Sequence, residues 1–190
     1  MRRFLCLLAV LILGIAAAGC RQEPTKRYTA DELTGMSGSE LLAVLSDNGL
    51  SLPDGVAEDT AEGLVLEVTP KFLKGETDAC TYTMGIDYDG TIELIMRTEA
   101  VLRQMGLCRT TYTEDALKSA GGHYLLKLFE ANGLTVDTSL REAYTDTQLE
   151  DLFLSDFSLL CEGKTSQDGA GHRDLAKQTA QVYQKLTKTA

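Results

Sequence analysis

Residues 125–134 read LLKLFEANGL, and residues 41–50 read LLAVLSDNGL. The two stretches lie 84 positions apart in a chain of 190. Extended outward without a gap, 28–52 matches 112–136 at ten of 25 positions. The shared residues are Tyr28/Tyr112, Thr29/Thr113, Asp31/Asp115, Leu33/Leu117, Gly38/Gly122, Leu41/Leu125, Leu42/Leu126, Asn48/Asn132, Gly49/Gly133 and Leu50/Leu134. Common helical patterning accounts for the leucines. It does not account for Tyr-Thr, the glycine and Asn-Gly-Leu in one register. The match reads as an internal duplication, and that reading decides the expected fold.

Each shared residue has a structural role. Thr29 and Thr113 stand where an N-cap belongs, with acids in the turn that follows. The leucine pairs, with Leu45 and Phe129, fall at i, i+1 and i+4 and mark a buried helical stripe. Asn48-Gly49 and Asn132-Gly133 stop that helix, because glycine takes the left-handed conformation cheaply. Fainter matches follow. Ala61, Leu64, Val65 and Phe72 align with Leu149, Leu152, Phe153 and Leu160, and Leu94, Thr98, Val101 and Met105 with Leu175, Thr179, Val182 and Leu186. Residues 63–68 (GLVLEV) alternate like a strand, but their counterpart is helical in spacing, so a helix kinked or broken at Pro70 is expected. Thr91 is expected to cap the fourth helix. The sequence thus predicts an all-α protein of two four-helix lobes, copy 1 over 28–111 and copy 2 over 112–190, packed together on a shared core. Copy 1 holds extra material near 80–88, CTYTMGIDY, whose alternation predicts a short extended segment.

The N-terminus predicts location. Arg2 and Arg3 precede an apolar run from Phe4 to Ala18, followed by small residues and Cys20. This is a secretory signal pattern, 1–19, too short for a spanning helix of about 20 residues. Ala17-Ala18-Gly19-Cys20 resembles the lipobox of bacterial lipoproteins, with Ala at the first position where Leu is usual. The resemblance covers residues 1–20 alone. It implies a diacylglycerol thioether on Cys20, cleavage before it, and an extracytoplasmic protein held to a bacterial membrane by lipid, with 20–27 as a tether. Cleavage would remove Arg2 and Arg3 and no acid, leaving 171 residues with 16 basic and 28 acidic side chains, net −12. Such a surface repels nucleic acid and does not seek anionic lipid headgroups.

Several short motifs invite chemistry and decline it. His172-Arg173-Asp174-Leu175 spells a kinase catalytic loop, but no glycine-rich loop precedes it; the first turn of the last helix explains it. Gly163-Lys164-Thr165 lacks the earlier glycine of a phosphate loop, where Ser158 stands. Gly35-Met36-Ser37-Gly38-Ser39 fails as a nucleophile elbow at Ser39. Residues 87–92 (DYDGTI) resemble the middle of a calcium loop, but the first and twelfth positions would be Gly85 and Met96; a tight turn explains them. Beyond Cys20 and the signal, Cys80, Cys108 and Cys161 remain. Cys80 and Cys108 could bridge, though buried free thiols are the reading preferred. No metal or cofactor is expected.

These features point to a non-catalytic binding or envelope scaffold module with a protein or small-molecule partner. The copy-specific segment, with Tyr82, Met84, Asp87, Tyr88 and Asp89, is the candidate recognition surface. A small hydrolase with a site between the lobes, or a substrate-capture lipoprotein for a transporter, are the alternatives.

Overall fold

The computed structural model describes residues 27–164 and 170–187. Cys20, the signal segment and most of the tether lie outside these residues, as does the side chain of His172. The described residues are all-helical, with ten helices: α1 (Ala30–Thr34), α2 (Gly38–Asp47), α3 (Glu58–Lys74), α4 (Ala79–Thr83), α5 (Asp89–Gln104), α6 (Glu114–Ser119), α7 (Gly122–Ala131), α8 (Thr138–Ala143), α9 (Asp146–Cys161) and α10 (Ala170–Thr187).

Caps place the starts. Thr29 accepts from the Glu32 amide while the Glu32 carboxylate accepts from the Thr29 amide at 2.8 Å, a closed capping box. Ser37 with Glu40 and Thr145 with Gln148 do the same for α2 and α9. This occupies Ser37, the residue of the failed nucleophile elbow, as a cap. Thr113 caps α6 through the Ala116 amide at 3.1 Å. The two Asn-Gly stops have the same geometry. Gly49 and Gly133 take φ of 104° and 102°. The Leu50 amide donates to the Leu45 carbonyl and the Leu134 amide to the Phe129 carbonyl, both at 2.9 Å. Gly38 and Gly122 share another constraint. A Cβ at Gly38 would meet the Glu62 carbonyl oxygen of α3 at 2.8 Å, and one at Gly122 would meet Leu154 of α9 at 2.9 Å. Each lets a long helix lie close against the start of a shorter one.

One buried core runs through both halves of the chain. Leu41, Leu45, Val65, Phe72 and Leu94 fill the first half, and Leu125, Phe129, Phe153, Phe157 and Val182 the second. Phe129 stacks edge-on against Phe153 and Phe157, with ring centroids 5.1 and 5.8 Å apart. α5 packs on α3 and α7, and α7 packs also on α9 and α10. The halves therefore meet along α5 and α7.

Four sequence expectations are corrected. The segment near 80–88 is not extended throughout. Residues 79–83 form α4, because Asp78 caps it through the Thr81 amide at 2.8 Å and Ala79, Cys80 and Thr83 share a buried helical face. Only the stretch beyond the turn at Gly85 is non-helical, and it ends with Tyr88 in an extended conformation. Thr91 does not cap α5; the helix begins at Asp89 after Tyr88, and Thr91 lies within its first turn. Of the kink or break expected at Pro70, the break does not occur: α3 runs through Pro70 to Lys74, with Gly75 as its C-cap, and the bond forfeited is the single amide bond proline cannot donate. The four helices expected in each half become five, since α4 and α8 are short helices formed on Asp78 and Asp137 caps. Residues 63–68 are helical, as their counterpart predicted.

Phe129 is completely buried at the meeting of α7, α9 and α10. Phe129→Ala should lower stability by about 3–5 kcal/mol, the cost of an aromatic truncation in a packed core. Urea midpoints measure it, and a loss near the surface-substitution scale of about 0.5 kcal/mol would remove Phe129 from the core.

Candidate functional site

The seam between the halves is charged on its outer side. On α5, Asp89, Glu93 and Arg97 recur every four residues and share one helical face. On α7, His123, Lys127 and Glu130 follow at steps of four and three and also share a face. The two stripes meet where α5 packs on α7. His123 Nε2 lies 2.9 Å from Asp89 Oδ1, and its Nδ1 lies 2.9 Å from Glu150 Oε1 on α9. Lys127 Nζ is 3.7 Å from the other Asp89 oxygen. Both ring nitrogens of His123 are therefore engaged by carboxylates. Held this way, His123 ties α5, α7 and α9 together.

Two recesses flank this clasp and share Lys127, Glu130 and Arg141 as a common wall. The larger, about 300 Å³, opens between Glu93 and Arg97 on α5, Lys127 and Glu130 on α7, and Arg141 on α8, beside Ala131, Leu134 and Val136. The smaller, about 140 Å³, lies beside His123, Asp146 and Glu150. Arg97 donates to the Ser51 carbonyl at 2.9 Å and the Ser51 hydroxyl at 2.8 Å, and pairs with Glu93. Arg141 pairs with Glu130. Burial pushes the Glu130 carboxyl above its ordinary range, although Arg141 and Lys127 pull it back. Lys127 is the least committed cation of the wall. Its side chain is 19% exposed, and Asp89 is its ion-pair partner.

The candidate recognition residues divide. Asp89 enters the seam. Tyr82 turns toward α3, where its hydroxyl donates to Glu67 and Lys71 sits 4.6 Å over its ring. Tyr88 is 52% exposed, with its hydroxyl donating to the Gly55 carbonyl at 3.0 Å. Met84 is 57% exposed, and Asp87 is exposed beside it. The sequence reading missed Glu93, Arg97, Lys127, Glu130, Arg141 and Glu150. The signal available was the recurrence of charge at steps of three and four residues on two helices flanking an apolar stripe.

Beneath the seam lies a second polar cluster. Glu99 is fully buried and accepts from the Thr110 and Tyr112 hydroxyls at 2.5 Å each, with Arg103 at 3.7 Å. Cys108 contacts the Thr110 hydroxyl at 2.8 Å. Cys80, Cys108 and Cys161 are free thiols, each raised above its ordinary pKa first by burial, the opposite of what a reactive cysteine needs. Among the described residues no group of three or more His, Cys, Asp or Glu is placed to hold a metal ion. Comparison with protein-family models, with curated proteins and with solved structures found no match.

Burial raises the Glu99 carboxyl above 4.5, outweighing the two hydroxyl donors and the charge of Arg103. The folded protein thus holds this proton to higher pH than the unfolded chain. The stability Glu99 contributes is fully present below its unfolded value and is lost as pH rises through the folded one. Glu99→Gln removes this dependence. Measured by urea midpoints at pH 4.5 and at neutral pH, the variant should gain on wild type as pH rises. The opposite slope would mean that Arg103 keeps Glu99 ionised.

Proposed function

We propose that this protein is a lipid-anchored, extracytoplasmic binding module of a bacterial envelope, and that it holds its ligand at the seam of α5 and α7. The observation that carries the binding reading is the larger recess, where charged side chains from three helices converge beside Ala131, Leu134 and Val136. Pockets of this build, concave with a few convergent polar groups, are where small ligands are held. The setting of His123 favours binding over hydrolysis, because both ring nitrogens are engaged by carboxylates and a general base must reach the proton of its substrate. The anchoring rests on the sequence: Arg2, Arg3, the apolar run and the lipobox ending at Cys20. Among the described residues no helix is long and apolar enough to cross a membrane, so attachment by this body would fall to the lipid. A tether of eight residues reaches about 30 Å at most, which would keep the recess close to the bilayer.

The test uses protein extracted from bacterial membranes in detergent. Intact mass should show Cys20 as the N-terminal residue carrying diacylglycerol, and native mass spectrometry should show a retained small molecule. Cys20→Ser should abolish the lipid mass. An unmodified N-terminus beyond Cys20 would refute the anchor, and a wild-type recess that retains nothing would refute the binding reading.

A further inference from the structure

The chemistry of the larger recess narrows what it can hold. Its wall carries three cations, Arg97, Lys127 and Arg141, among two carboxylates, Glu93 and Glu130. A simple anion would meet both carboxylates, and a simple cation would meet all three basic groups. A ligand bearing both charges close together meets neither penalty. Ala131, Leu134 and Val136 supply the smaller, apolar part of its lining. At about 300 Å³ the recess stands at the small end of the range for small-molecule sites. The existing ion pairs do not bar entry, because partly exposed pairs are held weakly and can exchange partners.

We infer that the recess binds a small zwitterion with an apolar side chain, an aliphatic α-amino acid or a dipeptide of such residues. Its carboxylate meets Lys127 and Arg141, its ammonium meets Glu130 and Glu93, and its side chain lies on Leu134 and Val136. Lys127 is suited to the carboxylate, since an ammonium has three donors and Asp89 lies at 3.7 Å, beyond good hydrogen-bond distance. Glu130 is suited to the ammonium, since it lines both recesses and its side chain stays 28% exposed beside Arg141. This inference rests on the binding reading above and specifies its ligand class.

Isothermal titration of the full-length lipoprotein in detergent tests it, with L-leucine, L-valine and leucyl-leucine as probes. N-acetyl-leucine and leucinamide, each missing one charge, serve as controls. At least one probe should bind, and its single-charge analogues at least tenfold more weakly. Lys127→Met and Glu130→Gln should each weaken binding at least tenfold while the urea midpoint shows a folded protein, and Arg141→Gln supplies a second cationic variant should Lys127→Met fail to fold. Equal binding of N-acetyl-leucine would make this an anion site, equal binding of leucinamide a cation site, and no heat from any probe would reject the zwitterion; each overturns the inference. A retained native mass that is lost in Lys127→Met but is not zwitterionic would overturn the ligand class and leave the binding reading standing. No retained mass on wild type would fail the reading itself.

Discussion

The packing of α7 is the contact on which the rest of the described structure depends. It is ten residues long, shorter than a helix that holds itself in water. Its order comes from neighbours: α5 on one side, α9 and α10 on another, with α4 touching as well. Leu125, Leu128 and Phe129 are fully buried in those contacts. Because α7 alone reaches helices of both halves on several sides, its apolar stripe fixes where the first half ends and the second begins. The same arrangement explains the two glycines at helix starts: a side chain at Gly38 would meet the backbone of α3, and one at Gly122 would displace the Leu154 side chain of α9.

The charged seam follows from that packing through helical geometry. A helix that buries Leu125, Leu128 and Phe129 carries His123, Lys127 and Glu130 along the flank of the buried stripe, because positions three and four apart stay neighbours. α5 does the same with Ile92, Ile95 and Met96 inward and Asp89, Glu93 and Arg97 at the edge. Once the inward stripes dock, the flanking charges face each other. The clasp of His123 between Asp89 and Glu150, and the pairing of Arg141 with Glu130, then join α8 and α9 to the seam. Core and candidate site are two sides of one helix pair.

Much of the fold was legible because its signals are local. Thr29, Thr113 and Thr145 cap helices, Asn48-Gly49 and Asn132-Gly133 end them, and the i, i+4 leucines are buried. The failures were local too. Alternation of five apolar residues over the nine positions Cys80–Tyr88 outweighed a single cap, Asp78, that turned the first half of the segment into a helix. Thr91 looked like a cap because threonine favours that place, yet α5 had already begun at Asp89. The site was less legible. Lys127 and Glu93 belong to different helices in different halves, and nothing in their sequence neighbourhoods states that α5 and α7 lie together. Asp89 alone came forward from the sequence into the seam, for the unrelated reason that it ends an aromatic segment. The repeated motifs at 28–52 and 112–136 supplied packing and no chemistry.

The acidity of the chain gives the recess its physical interest. With a net charge of −10, the molecule as a whole repels anions at long range. Screening limits that repulsion to about 10 Å at moderate salt. Inside the recess the local balance reverses, with three cations against two carboxylates. A fully anionic ligand would pay to approach the surface and meet two acids on arrival. A dipolar one feels no net repulsion at distance, then finds both its ends complemented within one small cavity. Under the zwitterion proposal the surface charge would filter against net anions and the mixed charge of the recess would select among what remains, so an acidic body and a cation-rich recess would act in the same direction.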